Sequence, residues 1–215
     1  MKLYFIRHGQ TDWNLARKIQ GTTDIPLNEN GIAQAHNVGR MLLEKKDLYP
    51  IDHIFTSSLK RASKTAEIIA SYLELPYAEA PGFYEVNLGK FEGKTWAESR
   101  EEFPEEFEAW HANRHYTPAP GGGESYHDSY VRCAEGVRSL VARLPKDTRG
   151  IAIVSHGGTI YATIAAITNT DLDHMEKYTI GNLSVTIFDY TPETDTWVFE
   201  SIDSSAADTN GTLPK

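Results

Sequence analysis

Two short runs constrain this chain more than any other feature of it. Leu3-Tyr4-Phe5-Ile6 ends abruptly in Arg7-His8-Gly9, and Ile151-Ala152-Ile153-Val154 ends in Ser155-His156-Gly157-Gly158. Four apolar residues in a row are too few for an ordinary helix, but they suit a parallel strand covered on both faces. Each run then delivers a histidine and glycine to the carboxyl end of a strand, where ligands bind in open α/β sheets. After the second run Ile160, Ile164, Ala165 and Ile167 continue as a helix, whose N-terminal N–H groups and dipole suit an anion. Taken alone, the first run also reads as a strand end with a basic pair on the surface.

Between these runs the chain alternates strand and helix signals. After the first run come Asp12, Trp13 and Asn14, and the stretch Gly21 to Pro26 reads as turn chemistry. Asn28 caps a helix carrying Ala35, Val38 and Leu42 as far as about Lys46. Ile54 to Thr56 forms a second strand, and Ser57-Ser58 caps a helix with Leu59, Ala62, Ala66, Ile69 and Leu73 in one stripe. Arg61 falls in the first turn of that helix, so a second arginine stands close after a strand end. Tyr77 to Ala80 offers a third strand. From Lys94 to Tyr116 the sequence turns acidic and aromatic, with Trp96, Phe103, Phe107 and Trp110 at rough helical spacing and Pro104 near a helix start. Glycines and prolines bound it on both sides, which reads as a helical insert over about residues 88–123 of a single domain spanning 1–215. Ser125 caps a long helix with Cys133, Ala134 and Val137 on one face. Residues 184–190 and 196–202 are β-rich and separated by a turn, the pattern of an antiparallel edge on a mostly parallel sheet. Residues 203–215 are small and polar, a frayed tail.

Composition narrows the partners. The formal net charge of −9 argues against general binding to nucleic acid or anionic membrane, so an anionic ligand needs a local basic cluster. No apolar run approaches the ~20 residues of a membrane span, and the N-terminus opens on a strand without a signal region. A cytoplasmic location follows as the expectation. The single cysteine, Cys133, excludes an intramolecular disulfide and reads as a core residue.

The clustered residue types fit phosphoryl transfer, in which catalysis is mostly positioning and charge stabilisation. Arg7 and Arg61 offer planar forks for phosphate oxygens. His156 adds a donor when protonated, with Asn14 and the N–H of Gly157 as further candidates. His8, as a neutral imidazole, is the candidate nucleophile that forms a phosphohistidine. Glu85, in a loop after a strand, is the candidate general acid, with Glu92 and Glu79 as rivals. The scheme calls for no metal and no cofactor. The other histidines, His36, His53, His111, His115, His127 and His174, show no metal-ligand spacing.

Four motifs in order resemble the histidine phosphatase superfamily, which includes cofactor-dependent phosphoglycerate mutases and small phosphatases. They are Arg7-His8-Gly9-Gln10-Thr11 with Asn14, Leu59-Lys60-Arg61-Ala62, Tyr84-Glu85-Val86-Asn87-Leu88-Gly89, and Val154-Ser155-His156-Gly157-Gly158. The resemblance implies a three-layer α/β/α sandwich with the insert as a partial lid, His8 as phosphorylated nucleophile, and Gln20 and Thr22 lining the pocket. Mutases of this family usually follow the donor glutamate with arginine, histidine and tyrosine. Here Val86, Asn87 and Leu88 come next, and the insert is short and acidic, which favours a phosphatase acting on a small phosphorylated metabolite. The mutase and a non-catalytic phosphate-binding module are the alternatives. His111, Arg114 and His115 in the insert are candidates for the substrate's distal end, with plain surface placement as the alternative.

Overall fold

A computed structural model describes residues 1–205. Six strands form one sheet in the order β3-β2-β4-β1-β5-β6, with β1 at Lys2–Arg7, β2 at His53–Thr56, β3 at Tyr77–Glu79, β4 at Gly150–Ser155, β5 at Val185–Thr191 and β6 at Thr196–Asp203. The first four run parallel, and β5 and β6 form the antiparallel edge. This is the mixed sheet expected, and its centre shows why it forms. β1 and β4 are paired neighbours, and all six residues of β4 are buried, so both faces must be covered.

The pleat sorts the two faces. Leu3 and Phe5 point with Ile151 and Ile153 into a core completed by Cys133, Val137, Ile160 and Ile164. Those last four come from α6 (Tyr126–Val141) and α7 (Gly157–Thr168). Tyr4 and Ile6 point with Ala152 and Val154 into the opposite core, completed by Val38 and Leu42 of α2 (Glu29–Glu44) and Ala62, Ala66 and Ile69 of α3 (Lys60–Leu73). Fully burying a side chain of this size contributes about 1.5–3 kcal/mol, so the two four-residue runs alone anchor much of the sandwich. Burial also pushes the Cys133 thiol up to about 11.

Several local expectations needed correction. Asp12–Leu15 is a one-turn helix, α1, which the sequence pattern did not signal: Thr11 and Asn14 form a reciprocal capping box. Ser57-Ser58 does not cap α3. Leu59 is the N-cap, Ser57 Oγ accepts from the Leu59 N–H, and the Lys60 N–H donates to Asp24 from a distant loop at 2.8 Å. The α2 helix stops at Glu44, not Lys46. The insert contains two helices, α4 (Trp96–Glu102) and α5 (Pro104–His111), broken at Phe103 because Pro104 begins a new first turn. Phe91, Phe107 and Trp110 pack with Ile19, Val86 and Leu88 into a small core of their own. Asp203 is not frayed: it pairs with Val185, and its carboxylate accepts from the Tyr49 hydroxyl. Most of the expected tail, residues 206–215, lies outside the described residues. No helix among the described residues is long and apolar enough to cross a membrane.

Candidate active site

Register places the two histidines together. Arg7 pairs with Ser155 at the ends of β1 and β4, so His8 and His156 emerge from adjacent strands at one level, with ring centroids 5.2 Å apart. The His8 backbone N–H donates to the Ser155 carbonyl at 3.0 Å and fixes this juxtaposition. Gly9 then passes so close to the start of α2 that a Cβ there would lie 2.5 Å from the Gly31 carbonyl oxygen. Close approach, rather than turn geometry, is what that position demands.

His8 is buried, and its Nδ1 lies 2.7 Å from the Gly9 carbonyl oxygen. A carbonyl can only accept, so Nδ1 carries the hydrogen and Nε2 holds the lone pair. Burial, helped by the Arg61 and Arg7 cations, pushes the imidazole well below 6.5. The ring is therefore neutral at pH 7.

Arg61 is 0 % exposed, an unusual place for a guanidinium. Its Nη1 and Nη2 donate to the carbonyls of Thr23 and Gly21, both at 2.7 Å, tying α3 to the 21–23 loop. Burial lowers it to about 10, still some three units above neutrality, so it stays a cation. Arg7 donates from Nη1 to the Ile180 carbonyl at 2.7 Å. The Nε atoms of Arg7 and Arg61 and both ring nitrogens of His156 are buried and bond to no described residue. Unpaired buried polar atoms of this kind cost about 1–3 kcal/mol each, and the N–H groups among them suit an acceptor-rich group such as phosphate. Burial and the nearby Arg61 also push His156 well below 6.5, so in this state it offers a neutral N–H rather than a charge.

Glu85 lies against the N-terminus of α7. One carboxylate oxygen accepts from the Gly158 N–H at 3.0 Å and the other from the Thr159 N–H at 2.9 Å. A Cβ on Gly158 would fall 2.6 Å from the Glu85 carboxylate, so glycine there permits the contact. Its rivals do other things. Glu92 accepts from the backbone and hydroxyls of Thr22 and Thr23 and clamps that loop, and Glu79 is exposed on β3.

Asn14 turns its carboxamide oxygen toward Thr11, and Gln20 accepts from the Thr11 hydroxyl at 2.9 Å, so both are anchored to the segment that follows His8. Thr22 is engaged with Glu92. Gly157 heads α7 beside Arg7, where a Cβ would lie 3.3 Å from Arg7 Nε.

Two residues here had no sequence signal. Asn182 donates to the His8 carbonyl at 2.9 Å and to the Asn14 carboxamide oxygen at 3.3 Å. Arg132 pairs with Glu124 at 2.6 Å, donates to the carbonyls of Gly82 and Glu85, and covers the Tyr84 ring at 3.7 Å. It holds the Glu85 segment in place. Both are single polar residues joined to the site only by folding.

The electrostatics carry a stability prediction. Unfolded histidines titrate near 6.5, whereas the fold keeps His8 and His156 neutral well below that. Below pH 6.5 the unfolded chain therefore binds more protons, and stability falls with pH by up to about 1.4 kcal/mol per unit for each imidazole. Thermal melts between pH 6.5 and 5.5 should show the midpoint dropping, and inorganic phosphate should soften the drop. A flat midpoint would mean the rings are not buried neutral.

A six-stranded α/β sheet carries His8, His156 and Arg7 at its carboxyl edge with the buried Arg61 beside them, and together with its family and its phosphatase relatives this supports a phosphoric monoester hydrolase. The chain belongs to the histidine phosphatase superfamily, branch 1, whose family model matches residues 3–203. It is 37% identical over 160 residues to phosphoglycerate mutase-like protein 4 of Arabidopsis thaliana, covering 74% of this chain and 67% of that one. It is 34% identical over 168 residues to the metal-independent phosphoserine phosphatase of the same plant, covering 78% and 68%. Among solved structures, a mycobacterial glucosyl-3-phosphoglycerate phosphatase superposes with a TM-score of 0.79 at 30% identity, over 93% of this chain and 97% of the other.

Proposed function

We propose that the protein hydrolyses a small phosphorylated metabolite in the cytoplasm through a phosphohistidine on His8, without a metal. The observation that carries this is the tautomer: Nδ1 donates to the Gly9 carbonyl, leaving Nε2 of a neutral ring as the nucleophile beside Arg7 and the buried Arg61. Nε2 attacks phosphorus as the ester P–O bond breaks. Arg7, Arg61, His156, Asn14 and the Gly157 N–H share the charge on the three equatorial oxygens, with Gln20 and Thr22 lining the pocket. A carboxylate and a phosphate dianion confined together take up one proton between them, and Glu85 passes that proton to the leaving oxygen. Glu85 then draws a proton from water, the water attacks phosphorus, and the P–N bond breaks to restore His8. The helical insert serves as a partial lid.

Water as the acceptor, rather than a second acid, is supported by the residues on the C-terminal side of Glu85. Val86 and Leu88 are buried in the small core of the insert. Val86, where a mutase would carry arginine, is thus committed to packing, and Asn87, where it would carry histidine, is an uncharged side chain that accepts from the Gly89 N–H at 2.9 Å. Relatives named for phosphoserine and glucosyl-3-phosphoglycerate phosphatases agree with hydrolysis, while mutase-like relatives keep the transfer reading worth testing.

Phosphate release from a panel of phosphomonoesters in EDTA, with 2- and 3-phosphoglycerate interconversion followed in the same tubes, tests this. Release that survives the chelator is expected. Interconversion with little free phosphate would make the protein a mutase, and silence on both would favour the binding module.

A further inference from the structure

A cavity of about 430 Å³ lies between the insert and the starts of α6 and α7. Its walls are Trp96, Phe107 and Trp110 from the insert, Tyr126 from the start of α6, and Tyr161 from α7. Tyr161 lies one turn beyond Gly157 on α7, and Tyr126 packs against the small core that holds Val86, the neighbour of Glu85, so the cavity lies on the Glu85 side of the site. Burial pushes the Tyr126 phenol up to about 12, so it remains an uncharged wall. Trp96 and Trp110 lie parallel, 5.4 Å apart and 13° from coplanar. The volume lies in the range of pockets that enclose ring-bearing ligands.

Charge decides between an acidic and a neutral occupant. Among the described wall residues Arg114 is the permanent cation, and it is already occupied: Nη2 donates to Asp173 at 2.6 Å and to the Leu172 carbonyl at 3.2 Å. His111 lies flat on the Phe107 ring, 5.7 Å away and 16° from parallel. His115 is elsewhere, facing His127 and Tyr116 in a separate cavity. A carboxylate entering the aromatic cavity would lose water and meet His111, stacked on Phe107, and a guanidinium whose Nη2 is already paired with Asp173. A planar ring would lose nothing polar and gain offset or edge contacts with several aromatic faces.

We propose that the alcohol half of the substrate carries a planar aromatic or heteroaromatic ring and no carboxylate, with Asp173 withholding Arg114 from acidic esters. This rests on the hydrolytic reading of the site. The test compares phenethyl phosphate with O-phosphoserine and 3-phosphoglycerate, and includes 4-nitrophenyl phosphate to report the His8 chemistry with a good leaving group. The wild type should favour phenethyl phosphate over phosphoserine in kcat/KM by about 100-fold, mostly through KM, the scale at which an apolar pocket discriminates. Asp173→Ala changes an exposed side chain, and it should narrow that ratio about tenfold by raising kcat/KM for phosphoserine as Arg114 is released. Equal or better turnover of phosphoserine or 3-phosphoglycerate by the wild type would overturn the proposal. An unchanged ratio in Asp173→Ala would overturn the role of Asp173. Failure to turn over any of the four esters would overturn the hydrolytic reading itself, and this inference with it.

Discussion

His8→Ala is expected to lower kcat by more than about 10⁴-fold while the chain remains folded, since removing a nucleophile eliminates the covalent route and leaves only binding and charge stabilisation. Folding should survive for a specific reason. The His8 ring donates one hydrogen bond, to the carbonyl of the next residue, and the strand is held instead by its Leu3 to Ile6 side chains. The substitution also removes one of the two imidazoles that the fold keeps neutral. The fall in thermal midpoint between pH 6.5 and 5.5 should therefore be about half as steep in His8→Ala as in the wild type. Turnover within about tenfold of wild type would exclude the phosphohistidine. A normal pH slope with lost activity would mean that other groups control the acid instability.

Glu85→Gln should separate substrates by leaving group. An alkyl ester needs its departing oxygen protonated, so its turnover should fall by about 10²–10⁴-fold, whereas 4-nitrophenyl phosphate should lose less than about tenfold in the phosphorylation step. The variant carries a structural cost. Glu85 accepts backbone N–H groups of Gly158 and Thr159 through both oxygens, and a carboxamide can serve only one of them, its NH2 opposing the other. Some loosening of the start of α7 is expected, visible as a lower thermal midpoint but independent of the ester used. Equal losses on both esters would therefore assign the damage to this anchoring and move the acid role elsewhere. Single-turnover measurements keep the comparison clean, because dephosphorylation through Glu85 is common to every substrate.

The relation of Glu85 to α7 shows why its rivals could not be dismissed from sequence. Glu85, Glu92 and Glu79 all lie near strand or loop boundaries in one stretch, and local pattern treats them alike. Their roles diverge through contacts distant in the chain: Glu85 meets the helix after β4, Glu92 meets the loop that Arg61 also holds, and Glu79 meets solvent. Asn182 and Arg132 were illegible for the same reason, since each acts on a segment 47 to 174 residues away.

The frame was already written in the linear pattern of residues. Apolar runs too short for helices had to be buried strands, alternating side chains had to feed two cores, and glycine after each histidine let backbone pack closely at the strand ends. These are consequences of local sterics and of the cost of exposing apolar surface, which act through neighbouring residues. The protonation state of His8, the burial of Arg61, the pairing of Arg114 with Asp173 and the aromatic walls beside them came only with the folded chain. Each depends on groups remote in sequence sharing a site with little water, where charge and hydrogen-bond partners are set by whatever the fold brings within a few ångströms.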